Sequence, residues 1–472
     1  MSSNRLTPFR RPLRRLAPLL LLALLAPAPA PAAPEKAAEP KLSEAARWLR
    51  DYIRIDTTNP PGREHLAAAF LAGLLHREGI PTRLLVSPQG RTSLWARLSA
   101  PNSGGRAIVL LHHTDVVPAG PGWTARPFAG DIRDGRLWGR GAVDDKSLGI
   151  AQLVALIDLK RRGVALRRDV IYLAVADEEN GGGQGVGWMM ERHPELFRGV
   201  EGVVGEGGRA QLSGEGKVLW WGIETAQKRP LWLEVTTKGR GGHGSGLNPE
   251  SANHQLIVAL GRLLQRPIPW RVTPPARQYL HAIAPLHEGH WRRVLSNIDN
   301  VVTPTGAKEF LLPGMANLFV DSIQVTVLDG GEKINVIPER ASARLDVRLL
   351  PDTDADKLLA EIRKTLGDDC EVKVLVTSPP AAPSPTAGPV WEALRQALGA
   401  DGPVVPTFVP GFTDSRYFRE RGIAAYGVTP FALSGEDLRG IHNPDERIPL
   451  DELDRGVERM RRAVALYAAG GR

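Results

Sequence analysis

The chain is 472 residues long, 42% hydrophobic and 24% charged, with a formal net charge of +8 at pH 7. That length exceeds one simple core and predicts two domains. A single cysteine, Cys370, excludes an intrachain disulfide framework and a cysteine-rich zinc site, so any metal must be held by histidines and carboxylates.

Residues 1–32 differ in kind from the rest of the chain. Arg5, Arg10, Arg11, Arg14 and Arg15 form a basic stretch, Leu16 to Ala26 an apolar one, and Ala30-Pro31-Ala32 an A-x-A cleavage signal. This pattern reads as a bacterial secretory signal peptide, which gives a secreted or periplasmic protein. The apolar run is shorter than the ~20 residues that span a bilayer. The five arginines of this segment, unmatched by any acid, account for five units of the net charge of +8. The remainder is close to balanced, so the basic composition implies neither a nucleic-acid partner nor stable membrane association after cleavage. Residues 33–41, rich in Ala, Pro, Glu and Lys, read as a tether.

Leu42 to Ile55 and Glu64 to Glu78 are predicted helices around a Thr57-Thr58-Asn59-Pro60-Pro61-Gly62 loop, the second stopped by Gly79 and Pro81. Three apolar runs then end in polar residues. Ala107 to Leu111 leads into His112-His113-Thr114-Asp115, Val170 to Val175 into Asp177-Glu178-Glu179, and Gly202 to Val204 into Gly205-Glu206-Gly207. A helix beginning near Ser147, with Ile150, Leu153, Val154 and Ile157 on one face, lies between the first two. Buried parallel strands alternating with helices make an open α/β sheet, and such sheets bind ligands beyond the carboxyl ends of their strands. All three polar clusters sit at such ends.

From about Ile223 the texture changes. Leu231 to Thr237 alternates as a half-buried strand, Pro249 to Leu264 is an amphipathic helix, and Ile323–Leu328 and Arg340–Leu350 flank an Asp329-Gly330-Gly331 turn. A helix over Asp354–Leu366 and a strand over Glu371–Val376 complete a β-α-β-β-α-β unit, inserted into the first domain. Pro379 to Pro385 is the return linker. The expected division is therefore 42–222 and 383–472 for a catalytic domain, with 223–382 as an α+β insertion. Trp270 to Leu318 has no clear periodicity and remains unassigned.

Taken one at a time, the polar clusters read as readily as solvated loops. Asp144 and Asp145 open a helix, where the macrodipole favours carboxylates, and His113-x-Asp115 fits a strand end with its polar groups satisfied. Metal-bound imidazoles, however, commonly have a carboxylate on the second nitrogen. Adjacent carboxylates such as Glu178 and Glu179 suit a ligand beside a general base. With Glu206 and His442, the set supplies two histidines and several carboxylates, suited to two zinc ions bridged by one carboxylate.

The ordered strings HTDVVP (113–118), GRGAVDDKS (139–147), ADEENGG (176–182), VVGEGG (203–208), KGRGGHGS (238–245), NVIPERASARLDVR (335–348) and IHNPDERI (441–448) resemble the family of aminoacylase, carboxypeptidase G and succinyl-diaminopimelate desuccinylase. These are dinuclear zinc amidohydrolases and exopeptidases. The resemblance runs from about residue 42 to 465. It implies two zinc ions per chain, with cobalt or manganese as substitutes. His113, Asp144 and Glu206 would hold one ion, and Asp144, Glu179 and His442 the other, with a cis peptide after the bridging Asp144. Asp115 would orient His113, and Glu178 would take the proton of the attacking water and pass it to the leaving amine. His243 would stabilise the oxyanion; in dimeric members it often reaches the partner subunit's site, so a homodimer would form through the inserted domain. Asn335 and Arg348 would contact the substrate, and Thr413 and Asp414 would line its pocket.

The chain departs from the family pattern in places. His243 is followed by Gly244-Ser245, and no arginine follows the Glu371–Ser378 strand where glutamate-releasing members carry one. The long Trp270–Leu318 segment resembles the carboxypeptidase S-like and fatty N-acyl-amino-acid hydrolase branch. The expected activity is cleavage of an amide beside a free carboxylate, in a peptide or an N-acyl amino acid. The rivals are an aminopeptidase or dipeptidase of the same family and a non-catalytic metal- or solute-binding protein; the latter would have no use for Glu178.

Overall fold

The computed structural model describes residues 41–307, 311 and 314–470. The expected leader and nearly all of the tether lie outside them. Among the described residues no helix is long and apolar enough to cross a membrane.

Two sheets organise the chain from Leu42 onward. The larger contains β1 (Thr82–Val86), β2 (Thr92–Leu98), β3 (Ala107–His113), β4 (Asp169–Val175), β5 (Val200–Gly205) and β6 (Val218–Gln227). The smaller contains β7 (Arg229–Lys238), β8 (Ser322–Asp329), β9 (Arg340–Leu349) and β10 (Cys370–Thr377), after which β11 (Val404–Val409) and β12 (Ala425–Gly427) return to the larger. The large sheet runs β1-β2-β4-β3-β5-β12-β6-β11. Its centre is parallel, with β3 between β4 and β5 and β12 beside β5. Every residue of β3 and β4 is buried, as continuous apolar runs covered on both faces should be.

Helices cover both faces. α1 (Glu44–Ile53) starts at Ser43, whose hydroxyl accepts the Ala46 N–H at 3.1 Å. α2 (Glu64–Arg77), α3 (Lys146–Arg161) and the C-terminal α4 (Leu450–Ala468) enclose one core with it. In α4 the buried Leu453, Val457, Met460, Val464 and Tyr467 recur at helical spacing. α3 lies so close to β3 that a Cβ on Gly149 would sit 2.3 Å from the His112 ring. That approach brings the turn before α3 over the end of β3. It also buries His112, whose ring packs against Tyr52 and Tyr172.

The small sheet has the order β8-β9-β7-β10, antiparallel throughout, with helices Ala252–Leu264 and Ala355–Leu366 over a separate core. This is the β-α-β-β-α-β arrangement expected of the insertion. β6 stays in the large sheet to Gln227, so the chain crosses at Lys228, and residue 223 falls within that strand. The unassigned segment contains helices Pro274–Ile283, Gly289–Ser296 and Ile298–Val301. They bury Leu280, Val294 and Ile298 together with Trp220 and Phe408 of the large sheet.

Candidate metal centre

The strand register aligns His113 with Val175 and Leu110 with Val204. Residues just beyond three neighbouring strands are thereby brought together. His113 ends β3, Glu178 and Glu179 follow β4, and Glu206 follows β5. The turn before α3 supplies Asp144, whose bond to Asp145 is cis, and the loop before α4 supplies His442.

Asp144 occupies the centre of this group. His113 Nε2 lies 3.0 Å from Asp144 Oδ1 and 3.9 Å from Glu206 Oε1. His442 Nε2 lies 3.1 Å from Asp144 Oδ2 and 3.3 Å from Glu179 Oε2. Each oxygen of one carboxylate thus faces a different histidine. Two trios of donors result, His113–Asp144–Glu206 and Asp144–Glu179–His442, each within 4.8 Å. Non-glycine residues rarely adopt positive φ, yet Asp177 and His442 do so at 72° and 59°.

Asp115 is fully buried, but its carboxylate is not hydrogen-bonded to His113. His113 Nδ1 meets the Asp115 main-chain carbonyl at 2.8 Å, and the carboxylate accepts the N–H groups of Glu178 and Glu179, each at 3.2 Å. Asn59, in the predicted Thr-Pro loop, donates to Asp115 Oδ2 at 2.7 Å and accepts from Asn180 at 2.6 Å and Arg91 at 3.2 Å. Lys146 is a residue that sequence reasoning missed. Fully buried, it donates to the carbonyls of Tyr52 and Ile55 at 3.2 and 2.8 Å, tying α1 to the turn that carries Asp144.

A small enclosed space is lined by His113, Asp145, Glu178, Glu206, Thr413 and Asp414. Thr413 is held by Gln227, whose amide accepts from its hydroxyl and donates to its carbonyl, both at 3.2 Å. Beside this loop, Arg348 lies 4.4 Å above the Phe412 ring and forks onto Asp346 at 2.6 and 2.8 Å. His243 and Asn335 are elsewhere. They occupy adjoining positions on a short ribbon, where Gly244 N donates to Asn335 O at 2.9 Å, and both are exposed. Among the described residues no hydrogen bond or ion pair joins them to either trio.

The donor chemistry fits a pair of divalent cations. Burial drives Glu178, Glu206 and Asp145 well above the usual carboxylate range, with neighbouring carboxylates adding to it. Burial also opposes charge on His113, yet Asp144 and Glu206 raise it well above its ordinary value. Hydrogen bonds to Asp144 and Glu179 push His442 up to about 10. Carboxylates crowded about two imidazoles thus concentrate negative charge that divalent cations would offset. Nitrogen and oxygen donors in this number suit first-row divalent metals.

The model of peptidase family M20/M25/M40 matches residues 109–466. Aminoacylase-1B of Rattus norvegicus is 28% identical over 429 residues, covering 89% of this chain and 94% of that protein. The N-fatty-acyl-amino acid synthase/hydrolase PM20D1 of Xenopus tropicalis is 29% identical, over 73% of this chain and 69% of that one. Among solved structures, the M20 family metallo-carboxypeptidase Sso-CP2 from Sulfolobus solfataricus superposes with a TM-score of 0.68 at 19% identity, covering 90% of this chain and 99% of that one. With a family match running from within β3 almost to the end of α4, the chain belongs to peptidase family M20/M25/M40 and is a hydrolase of amide bonds.

Proposed function

We propose that this protein is an exported dizinc hydrolase that cleaves the amide of an N-acyl amino acid or short peptide beside a free carboxylate. One observation carries the metal reading: Asp144 divides its two oxygens between His113 and His442. His113 and Glu206 would complete one site, Glu179 and His442 the other. Bound there, the ions would supply Lewis acidity toward the carbonyl oxygen and lower the pKa of the attacking water.

The chain's own residues would do the rest. Glu178, buried and raised by its surroundings, suits a group that takes the water's proton and returns it to the leaving amine. Thr413 and Asp414 would shape the pocket, and the Arg348 guanidinium would lie at its edge toward the substrate carboxylate. That no hydrogen bond or ion pair among the described residues joins His243 or Asn335 to the trios supports their acting on the partner subunit's site. Leu247 and Ile334, fully exposed near them, and the exposed Val336 support contact with a second copy. The N-acyl amino acid reading draws support from the match to aminoacylase-1B along almost its whole length.

Hydrolysis of N-acyl amino acids and of N- or C-blocked dipeptides, with zinc supplied, tests the substrate class. Activity that survives C-terminal blocking would exclude the free-carboxylate requirement. Elemental analysis should approach two zinc per chain and fall sharply in Asp144→Ala; a fully loaded variant would remove the bridge. Export rests on the basic, apolar and A-x-A pattern of residues 1–32, and mass spectrometry of exported material should find an N-terminus near Ala33.

A further inference from the structure

Glu446 belongs to neither trio, yet it is completely buried and four donors converge on its carboxylate. Oε1 accepts the main-chain N–H of Val143 at 2.7 Å and of Asp144 at 3.0 Å. Oε2 accepts the N–H of Gly141 at 2.9 Å and the Arg140 guanidinium at 2.8 Å. A buried carboxylate is costly unless charge and hydrogen bonds compensate it. Here the compensation comes from Arg140 and from the very turn that presents Asp144.

Local strand pairing does not need this side chain. Arg447–Pro449 pairs through main-chain bonds with Arg136–Trp138, and Gly139 N donates to the Glu446 carbonyl at 2.9 Å. The carboxylate adds a fixed orientation for residues 141–144. Its own segment begins with His442 and includes Asp445, whose carboxylate accepts Thr124 N at 2.8 Å and Thr124 Oγ1 at 2.9 Å. One anchored segment therefore carries a donor of the second trio and grips the main chain of the residue common to both.

We propose that Glu446 is a positioning residue of the metal centre: through the amides of Gly141, Val143 and Asp144 it fixes the bridging carboxylate and couples it to His442. The inference rests on the dimetal reading above. Ligand constellations require placement within about 0.5 Å, and loss of an outer hydrogen-bond partner typically costs about 10–100-fold in metal affinity. Glutamine is an informative replacement because every neighbour of the carboxylate is a donor. Its amide oxygen can serve one side of the turn, but its NH₂ group must face N–H groups on the other.

The test titrates the metal-free full chain with zinc or cobalt(II) against a chromogenic chelator and records the visible bands of the cobalt form. Glu446→Gln should bind about 10–100-fold more weakly, with altered bands. Glu446→Asp keeps the charge beside Arg140 but withdraws the oxygens by one methylene, and should show a smaller loss. The control is Asp169→Asn. Asp169 is also buried, accepts the Ala100 N–H at 2.8 Å and pairs with Arg97, but it opens β4 at the end away from the site; its variant should keep wild-type affinity. Unchanged affinity in Glu446→Gln, or in Glu446→Asp if the glutamine variant does not fold, overturns the positioning role. An equal loss in Asp169→Asn also overturns it, by marking a general effect of removing a buried carboxylate. A wild-type chain that binds neither ion overturns the dimetal reading, and the positioning role falls with it.

Discussion

The Asp115 carboxylate accepts the main-chain N–H of Glu178 at 3.2 Å, while the His113 imidazole is oriented by the Asp115 carbonyl. Asp115 therefore holds the Glu178–Glu179 pair as well as the histidine. Asp115→Asn keeps one acceptor oxygen but turns an NH₂ group toward amide donors. We expect kcat/KM to fall about 10–100-fold with the circular dichroism spectrum unchanged. Wild-type turnover in that variant would reduce the carboxylate to a packing role.

Glu178→Gln preserves size and both trios but cannot accept a proton. The expected loss in kcat is at least ~10²–10⁴-fold, with metal content and KM close to wild type because Glu179, not Glu178, lies beside His442. Steady-state kinetics with parallel metal analysis checks this. Near-normal turnover would remove Glu178 from the chemistry.

His243→Ala should lower kcat by ~10²–10³-fold, the usual cost of one oxyanion donor. Because, among the described residues, His243 bonds only within its own ribbon and not to its own trios, mixing this variant with Glu178→Gln should restore some activity through hybrid dimers. Native mass spectrometry would establish that hybrids form. Hybrids without activity would mean that His243 does not act across subunits.

Lys228, 1% exposed at the crossing between the two sheets, is lowered from 10.5 to about 8 by burial, with Asp321 opposing. Below about pH 8 the folded and unfolded states both carry the proton, and the full cost of burying the charge is present. From there to 10.5 the unfolded chain holds more protons, so stability rises with pH through that window. Lys228→Met should stabilise the protein by ~1–3 kcal/mol near neutral pH, and the gain should vanish above pH 10.5. Urea unfolding of both proteins from pH 7 to 10.5 measures the difference, and a pH-independent gap would exclude this origin.

Much of the large sheet was legible because β3 and β4, covered on both faces, read as unbroken apolar runs that end in polar residues. That pattern places the clusters containing His113, Glu179 and Glu206 at strand ends, and the resemblance carried by strings such as GRGAVDDKS and IHNPDERI singles these residues out together with Asp144 and His442. Asn59 was not legible, since its partner Asp115 lies 56 residues away and its own surroundings read as a Thr-Pro loop. Glu446 stood in plain view within IHNPDERI, but its four donors lie some 300 residues upstream. Helices between Pro274 and Val301 are short and interrupted, so no 3.6-residue period could accumulate. β12 spans only Ala425–Gly427, too little for any alternation to show.

The pairing of β5 with β12 also bears on how the protein is made. A strand ending at Gly205 waits for a neighbour beginning at Ala425, about 220 residues later in synthesis, so its edge stays open while the entire small sheet is being completed. The donors span His113 to His442. The first trio is complete in the chain once Glu206 has been made, whereas the second waits for His442, so the paired centre can be finished only when nearly the last helix emerges.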